Sequence, residues 1–442
     1  MNELFDRYMR ALEQTERLPL PELARYQEEL LTRLVRHAYE HAPFYRERLR
    51  CLCGPNGEPD LSRWNDIPIM TRDDAISRNA DMRVANLPEI YGAVTEVRTS
   101  GTTGVPLKIA RNDMVPFSLN AVVTRAARWF GMNTSRALAV IKSFPIDEKA
   151  AYPDGIVAKG WSLADPEAPH YLLNKDTPVE QQLDWLARRR APYVVMYPTT
   201  AMALCHALTR EQGQALGIEI VMTGGQTVPD GAREMVADRL GARLVALYGC
   251  EEVGAIATEC PVAPHYHVAA ENVLVEILDD DGRDVRHGER GRVVLTGLYN
   301  YAMPFIRYAI GDVALAGTGP CRCGRSLPVI SQVEGRTRNA FIFRDGTRIW
   351  PRGRLVRQMR GYVPFVQYQL VQLDYDRIEL RYVPDGSDRV PDLEGLTAYA
   401  REAFHPSVTI SIAPMDVLPL GAGGKFEDII SLVTTSPPTP AG

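Results

Sequence analysis

The richest phosphate-seeking chemistry in the 442-residue chain lies in Thr99-Ser100-Gly101-Thr102-Thr103-Gly104-Val105-Pro106-Leu107-Lys108. It follows the strand-like run VTEVRT and holds two glycines, four hydroxyls and one lysine. A chain of phosphates needs close backbone approach, which glycine permits, together with donors and a cation. Phosphate binding is one reading of this segment; a Ser/Thr/Gly surface loop with an incidental lysine is the other. It is not the G-x-x-x-x-G-K-[ST] loop, because Lys108 stands four residues after Gly104 and no hydroxyl follows it.

A second cluster consists of thiols and imidazoles. Cys321-Arg322-Cys323-Gly324 is a tight C-x-C, and Cys260 is followed by His265 and His267. Two close thiolates with a Cys/His pair from elsewhere can supply a tetrahedral S₃N set, the closed geometry of structural zinc. A group of reduced, buried thiols is the alternative. Cys51 and Cys53 form another C-x-C, with no nearby histidine or further cysteine pair to complete it. Seven cysteines are an odd number, spread over a long chain, which argues against a secreted disulfide framework.

The elements that must position these groups can be read from apolar periodicity. Residues 1–50 read as helices, with Leu23, Tyr26, Leu30, Leu34, His37 and Ala38 on one face. Ile67 to Asp74 reads as an extended stretch feeding a helix capped at Thr71. From about 95 to 250, apolar strands (ALAVIKSF, YVVMYP, GIEIVMTGG, ARLVALYG) alternate with helices (PVEQQLDWLARRR, GAREMVADRL), the pattern of a mostly parallel sheet. VLVEILDDDGRDV and GRVVLTGL predict a strand pair around an acidic turn. After about residue 335, AFIFRD, FVQYQLVQL, RIELRYV and EGLTAYAREAFH predict a small α+β unit, and SPPTPAG a disordered tail.

The fold class expected is therefore α/β. A large N-terminal α/β domain (1–334), with mostly parallel sheets and a β-rich subdomain, precedes a small C-terminal α+β domain (335–442). The net charge of -5 argues against a general attraction to nucleic acid or an anionic membrane. No run reaches the roughly 18 apolar residues of a membrane span. The N-terminal residues carry acids without an apolar core, unlike a secretory signal, so the expected compartment is the cytoplasm.

The chain resembles the adenylate-forming ligase superfamily, and within it the phenylacetate–CoA ligase-like branch. TSGTTGVPLK is similar to that superfamily's phosphate loop, and Tyr248-Gly249-Cys250-Glu251-Glu252 to its Y-G-x-x-E segment. Met303-Pro304-Phe305-Ile306-Arg307-Tyr308, ending in Gly311-Asp312, is similar to its ribose-binding segment. Gly335-Arg336-Thr337-Arg338 stands at the hinge, and Lys425 in PLGAGGK at the place of the C-terminal lysine. The motifs follow in the family's order.

The resemblance implies ATP, Mg²⁺, a small carboxylic acid and coenzyme A as ligands. By it, the loop containing Thr99, Ser100, Gly101, Thr102, Thr103, Gly104 and Lys108 wraps the β- and γ-phosphates, and Glu252 helps hold Mg²⁺. Tyr248, followed by Gly249, stacks on adenine, with Gly224 and Gly225 letting the backbone approach the base. Asp312 accepts the ribose hydroxyls and Arg336 adds a donor. Lys425 contacts the carboxylate and α-phosphate, and the small domain is mobile between the two half-reactions. The branch also carries a comparable zinc arrangement, which implies Cys260, His267, Cys321 and Cys323 as ligands, with His265 the rival imidazole. Dimers are common in the branch.

Departures from the pattern bear on the second half-reaction and on the acid. Arg338 replaces the usual hinge aspartate, Leu355 stands where a glutamate would fall, and Ser143-Phe144-Pro145-Ile146-Asp147-Glu148-Lys149 replaces an aromatic, glycine-rich run. Phe144, Trp161, Tyr197 and Pro198 are the candidate pocket residues. The expected reaction is ATP-dependent activation of an aryl or compact, specialised biosynthetic acid, with transfer to coenzyme A. An amine, carrier-protein thiol or other nitrogen nucleophile is the alternative acceptor. A non-catalytic nucleotide-binding regulatory protein is the alternative class.

Overall fold

Three helices open the chain: Asn2–Thr15, Leu20–His41 and Pro43–Arg48. The second buries Leu23, Leu30, Leu31, Leu34, Val35, His37 and Ala38, the face its three-and-four spacing predicts. The computed structural model describes residues 2–54, 57–99, 106–144, 150–319, 321–351, 354–419 and 426–433. The Pro-rich tail lies outside them. Among the described residues, no helix is long and apolar enough to cross a membrane.

The alternation of strands and helices gives parallel pairing. Leu138–Lys142 lies between Pro169–Asn174 and Tyr193–Met196, parallel to both. Tyr193–Met196, Ile220–Thr223 and Arg243–Cys250 continue in parallel. Every residue of Ile220–Thr223 is buried, as expected of a strand covered on both faces. At Arg243–Cys250 the rule changes. Gly254, at φ 82°, reverses the chain, and Gly254–Glu259 pairs back antiparallel on the same strand.

The sheet then continues through Tyr266–Val268, Val329–Arg336, Tyr308–Ala316, Arg290–Gly297 and Val273–Leu278. The last two pair antiparallel around the acidic turn that contains Gly282. The parallel and β-rich parts read separately from sequence are thus one twelve-stranded mixed sheet. Val94–Arg98 and Lys108–Asn112 form a separate antiparallel pair.

The chain divides into two compact units, and Glu334–Gly442 with Gly311–Val313 belong to the smaller. The smaller unit holds a four-stranded sheet in the order Thr409–Pro414, Arg377–Pro384, Phe365–Asp374, Ile429–Ser431. Helix Leu393–Ala403 starts at Asp392, whose carboxylate accepts the Gly395 N–H. The core gathers Phe341, Leu370, Leu380, Leu396 and Phe404. The expected strand AFIFRD shortens to Phe341–Ile342, because a turn at Asp345-Gly346 sends it back onto Arg348–Ile349.

Candidate active site

Helix Arg72–Ser77 begins with Thr71, whose hydroxyl accepts the Asp74 N–H while the Asp74 carboxylate accepts that of Thr71. This capping box fixes the chain direction at the next residue, Arg72. The preceding stretch is held by the MPFIRY segment: Met70 N–H donates to the Arg307 carbonyl at 2.8 Å, and Ala309 N–H to that of Met70 at 2.8 Å. Arg307 adopts φ 48°, a strained value for a residue other than glycine. Its buried guanidinium donates to the Asn65 and Ile67 carbonyls at 3.0 and 2.9 Å and pairs with Glu276 at 3.0 Å. The likeness of this segment to a ribose motif gave no hint of that pinning role.

Arg72 is thereby brought to two of the candidate residues. Its guanidinium donates to Thr99 Oγ1 at 3.0 Å and lies 3.8 Å from Glu252 Oε1. Tyr308 O–H donates to the same Glu252 oxygen at 3.2 Å. Burial and the neighbouring Glu252 charge push the Tyr308 hydroxyl far above its ordinary pKa, so it stays a donor. Glu252 is buried, whereas Glu251 turns outward to Arg111 at 2.7 Å, so the geometry separates the two glutamates. A carboxylate held between a hydroxyl and a guanidinium is a hard, oriented oxygen ligand, which fits magnesium.

Thr99 closes the base of the glycine-rich segment. Its N–H donates to the Leu107 carbonyl at 3.0 Å, and its hydroxyl oxygen accepts the Leu107 N–H at 3.0 Å. The segment is therefore the connection of a β-hairpin. Lys108 already lies in the second strand, opposite Arg98, with its side chain exposed. Ser100, Gly101, Thr102, Thr103 and Gly104 lie outside the described residues, as does Lys425.

The carboxyl ends of the parallel strands supply the next group, the usual crevice of such sheets. A Cβ on Gly224 would lie 2.8 Å from the Leu247 carbonyl, and one on Gly225, at φ 81°, would lie 3.4 Å from the Tyr197 ring. Lys142, unnoticed in the sequence, donates to the Gly224 carbonyl at 2.8 Å and sits 3.8 Å over the Tyr197 ring centroid. Thr199 donates to the Gln226 side chain at 2.9 Å. Tyr248 and Gly249 flank a register shift, where a Cβ on Gly249 would meet the Gly254 carbonyl at 2.7 Å. Pro198 is buried at the first turn of helix Pro198–His206.

Phe144 is half-buried just past Lys142. Trp161 lies in a core cluster with Met132, Leu138 and Tyr193, and its indole donates to the Arg136 carbonyl at 2.8 Å, so its geometry is that of a packing residue. In the smaller unit, Asp312 is buried and pairs with Arg336 at 3.0 Å, and Thr337 donates to the Gly311 carbonyl at 3.2 Å. Thr337–Asn339 form a single 3₁₀ turn, and Leu355 packs against the unit's core.

Away from these groups, Cys260 Sγ and Cys321 Sγ lie 3.7 Å apart. This matches the edge of a zinc tetrahedron, about 3.8 Å for Zn–S bonds of about 2.3 Å. Cys323 Sγ lies 3.2 Å from His267 Nε2, and His267 Nδ1 donates to the Leu327 carbonyl at 3.4 Å, leaving Nε2 as the ligating atom. Burial lowers the His267 pKa to about 4 and raises that of the Cys321 thiol to about 11. His265 offers a second imidazole: its Nε2 is buried without a hydrogen-bond partner, and its ligand atom joins those of Cys260, His267 and Cys321 within 4.8 Å. The donor set fits zinc, with Cys323 and His265 both within reach of the fourth position.

The family model described as AMP-binding enzyme matches residues 168–303. Phenylacetate-coenzyme A ligase of Thermus thermophilus is 27% identical, covering 76% of this chain and 75% of its own. The Escherichia coli phenylacetate-coenzyme A ligase is 24% identical, over 77% of each. Among solved structures, a 2-hydroxyisobutyryl-CoA ligase in its postadenylation state matches with TM-score 0.71 and 19% identity, covering 95% of this chain and 91% of the other. An amide bond synthetase from Marinactinospora thermotolerans matches at TM-score 0.54 and 18% identity, covering 78% and 69%.

Proposed function

We propose that this chain, an adenylate-forming enzyme of the phenylacetate–CoA ligase-like kind, activates a carboxylic acid with ATP and passes the acyl group to coenzyme A. In the first half-reaction a carboxylate oxygen bonds to the α-phosphorus of ATP, and the bond to the β-phosphate oxygen breaks. Pyrophosphate leaves with the charge. In the second, the coenzyme A thiol loses its proton and attacks the acyl carbon, and AMP departs. The observation that carries this reading is the convergence of Arg72 and Tyr308 on Glu252, with Arg72 also on Thr99.

Each group has a task that its chemistry suits. Arg72 and the glycine-rich hairpin connection hold the outer phosphates. Glu252 would hold magnesium, which when bound would supply charge neutralisation at the phosphates. Gly224 and Gly225 admit adenine beside Tyr248, while Asp312 accepts the ribose hydroxyls. Lys425 offsets charge at the carboxylate and α-phosphate. Asp312, Arg336 and Lys425 belong to the smaller unit, and Arg72, Tyr248 and Glu252 to the larger.

Arg72→Ala is expected to lower pyrophosphate exchange by on the order of 100-fold, the lower end of what losing one oriented donor to developing charge costs. Arg72→Lys should recover only part, because an ammonium cannot span two acceptors as a guanidinium does. Exchange rates at saturating ATP check this, and an alanine variant at the wild-type rate would remove Arg72 from the site.

The acid is an aryl or compact acid other than phenylacetate. The run Ser143-Phe144-Pro145-Ile146-Asp147-Glu148-Lys149, which replaces an aromatic, glycine-rich run, supports this. Exchange measured over a panel of aryl and short alkyl acids tests it, and phenylacetate as the best acid would refute it. The altered hinge at Arg338 and the altered loop at Leu355, with a fold shared by an amide bond synthetase, motivate a second reading in which a nitrogen nucleophile replaces coenzyme A as acceptor. CoA-dependent AMP release distinguishes the two, because only the thioester route requires it.

A structural zinc ion held by Cys260, His267 and Cys321, with Cys323 or His265 as fourth ligand, completes the proposal. Its role is to join two loops of the β-rich half. The ligand set is closed, which leaves no open position for a substrate.

A further inference from the structure

Tyr308 and Arg72 hold the outer end of the Glu252 side chain, its carboxylate. The other end springs from a turn between Arg243–Cys250 and Gly254–Glu259. The ladder joining those strands shifts register at Tyr248/Gly249, and glycines border the turn at 249 and 254. An irregular ladder between two glycines leaves such a turn several backbone conformations. A glutamate also has three side-chain torsions, so gripping its carboxylate alone does not fix the direction of its oxygens.

The turn is gripped from a second strand. Arg111 Nη2 donates to the Glu251 carbonyl and, at 2.7 Å, to the Glu251 carboxylate. That carbonyl belongs to the peptide joining Glu251 to Glu252, so the guanidinium holds the main chain from which Glu252 projects. The carboxylate contact is the lesser one, because the Glu251 side chain is 56% exposed. Arg111 itself stands on a firm base. Its strand, Lys108–Asn112, buries Ile109, Ala110 and Asn112. The Lys108 carbonyl accepts Asn79 Nδ2 at 2.8 Å, and the Ala110 carbonyl accepts Asn300 Nδ2 at 3.0 Å. Asn112 Oδ1 accepts the Tyr301 N–H at 2.9 Å.

We infer that Arg111 is a positioning residue for Glu252, fixing the main chain from which that carboxylate reaches magnesium. This rests on the adenylation reading above. Partners outside a metal's own ligands aim those ligands, and here the aim is set through the backbone. One planar guanidinium spans both Glu251 oxygens, which an ammonium cannot do.

The test measures ATP binding by calorimetry, without acid and so without turnover, once in Mg²⁺ and once in chelator. The ratio of the two dissociation constants is the gain from the metal. Arg111→Met is expected to reduce that gain about 10-fold, the lower end of what losing an outer partner costs a metal site. ATP affinity in chelator should stay at the wild-type value. The Mg²⁺ concentration for half-maximal pyrophosphate exchange should rise, with the rate at saturating Mg²⁺ little changed, as loss of uniform binding requires. Arg111→Lys should recover part of the gain. Glu251→Gln leaves the main-chain grip in place and should cost no more than about twofold. Glu96→Gln, which removes an ion pair to Arg83 at 2.8 Å on the same hairpin, is expected to change neither constant.

A full metal gain in Arg111→Met, or equal weakening of ATP binding with and without Mg²⁺, would overturn the inference. So would Arg111→Met and Arg111→Lys that both fail to fold, since the residue would then be structural. Failure of the underlying reading looks different: wild type shows no acid-dependent exchange, or Glu252→Gln keeps the full metal gain.

Discussion

Lys425→Ala is expected to lower acid-dependent ATP–pyrophosphate exchange by about 10²–10³, a few kcal/mol of transition-state stabilisation. The lysine's proposed task is confined to the moment when the carboxylate bonds to the α-phosphorus and charge moves onto pyrophosphate. No proton is transferred, so the loss should appear in the rate of exchange more than in the KM for ATP. Thioester formation from supplied acyl-adenylate should stay within a small factor, because that step begins after pyrophosphate has gone. Lys425→Arg keeps the charge but not its compact form, and should recover only part of the rate. A variant that loses both half-reactions alike would point to damage in the small unit and away from this role.

If the proposed zinc is bound, Cys321→Ser is expected to lower the melting temperature by on the order of 10 °C and to release that zinc. Losing a structural metal ligand belongs to the largest class of single-substitution effects, on the order of 4–5 kcal/mol. The surroundings explain why the effect should spread. Trp129 donates to Glu16 at 2.8 Å, Arg325 lies 4.1 Å over the Trp129 ring, and that ring meets His267 edge-on at 5.9 Å. Ser326 N–H donates to the Glu16 carbonyl at 2.8 Å. The cluster thus joins the end of the first helix to the helix Met114–Trp129 and to the β-rich loops. Metal analysis should find one zinc per chain in protein purified without chelator. The His265→Ala and Cys323→Ser variants then assign the fourth ligand: the true ligand's variant loses zinc, and the other retains it.

Much of this was legible in the residues because the signals were local. Three-and-four spacing gave the face of Leu20–His41, and Thr71 gave the start of Arg72–Ser77. Alternating strands and helices gave the parallel half of the sheet. What escaped depended on partners far apart in the chain. Arg72 gains meaning only beside Thr99 and Glu252, and Lys142 only beside Tyr197 and Gly224. The join between the parallel and antiparallel halves depends on one glycine, Gly254, whose positive φ lets both halves share Arg243–Cys250. Trp161 shows the opposite limit. Position in the pattern leaves core packing and ligand contact equally open for this aromatic residue, whose indole donates to the Arg136 carbonyl within a core cluster.

Carboxylate-dependent ATP–pyrophosphate exchange, run on wild-type protein over a panel of aryl and short alkyl acids, tests adenylation most directly. It needs no knowledge of the acceptor. The account predicts exchange that depends on one class of acid and on magnesium, and that falls with Glu252→Gln. ATP bound without exchange under any acid of the panel, or exchange indifferent to the acid, would contradict it.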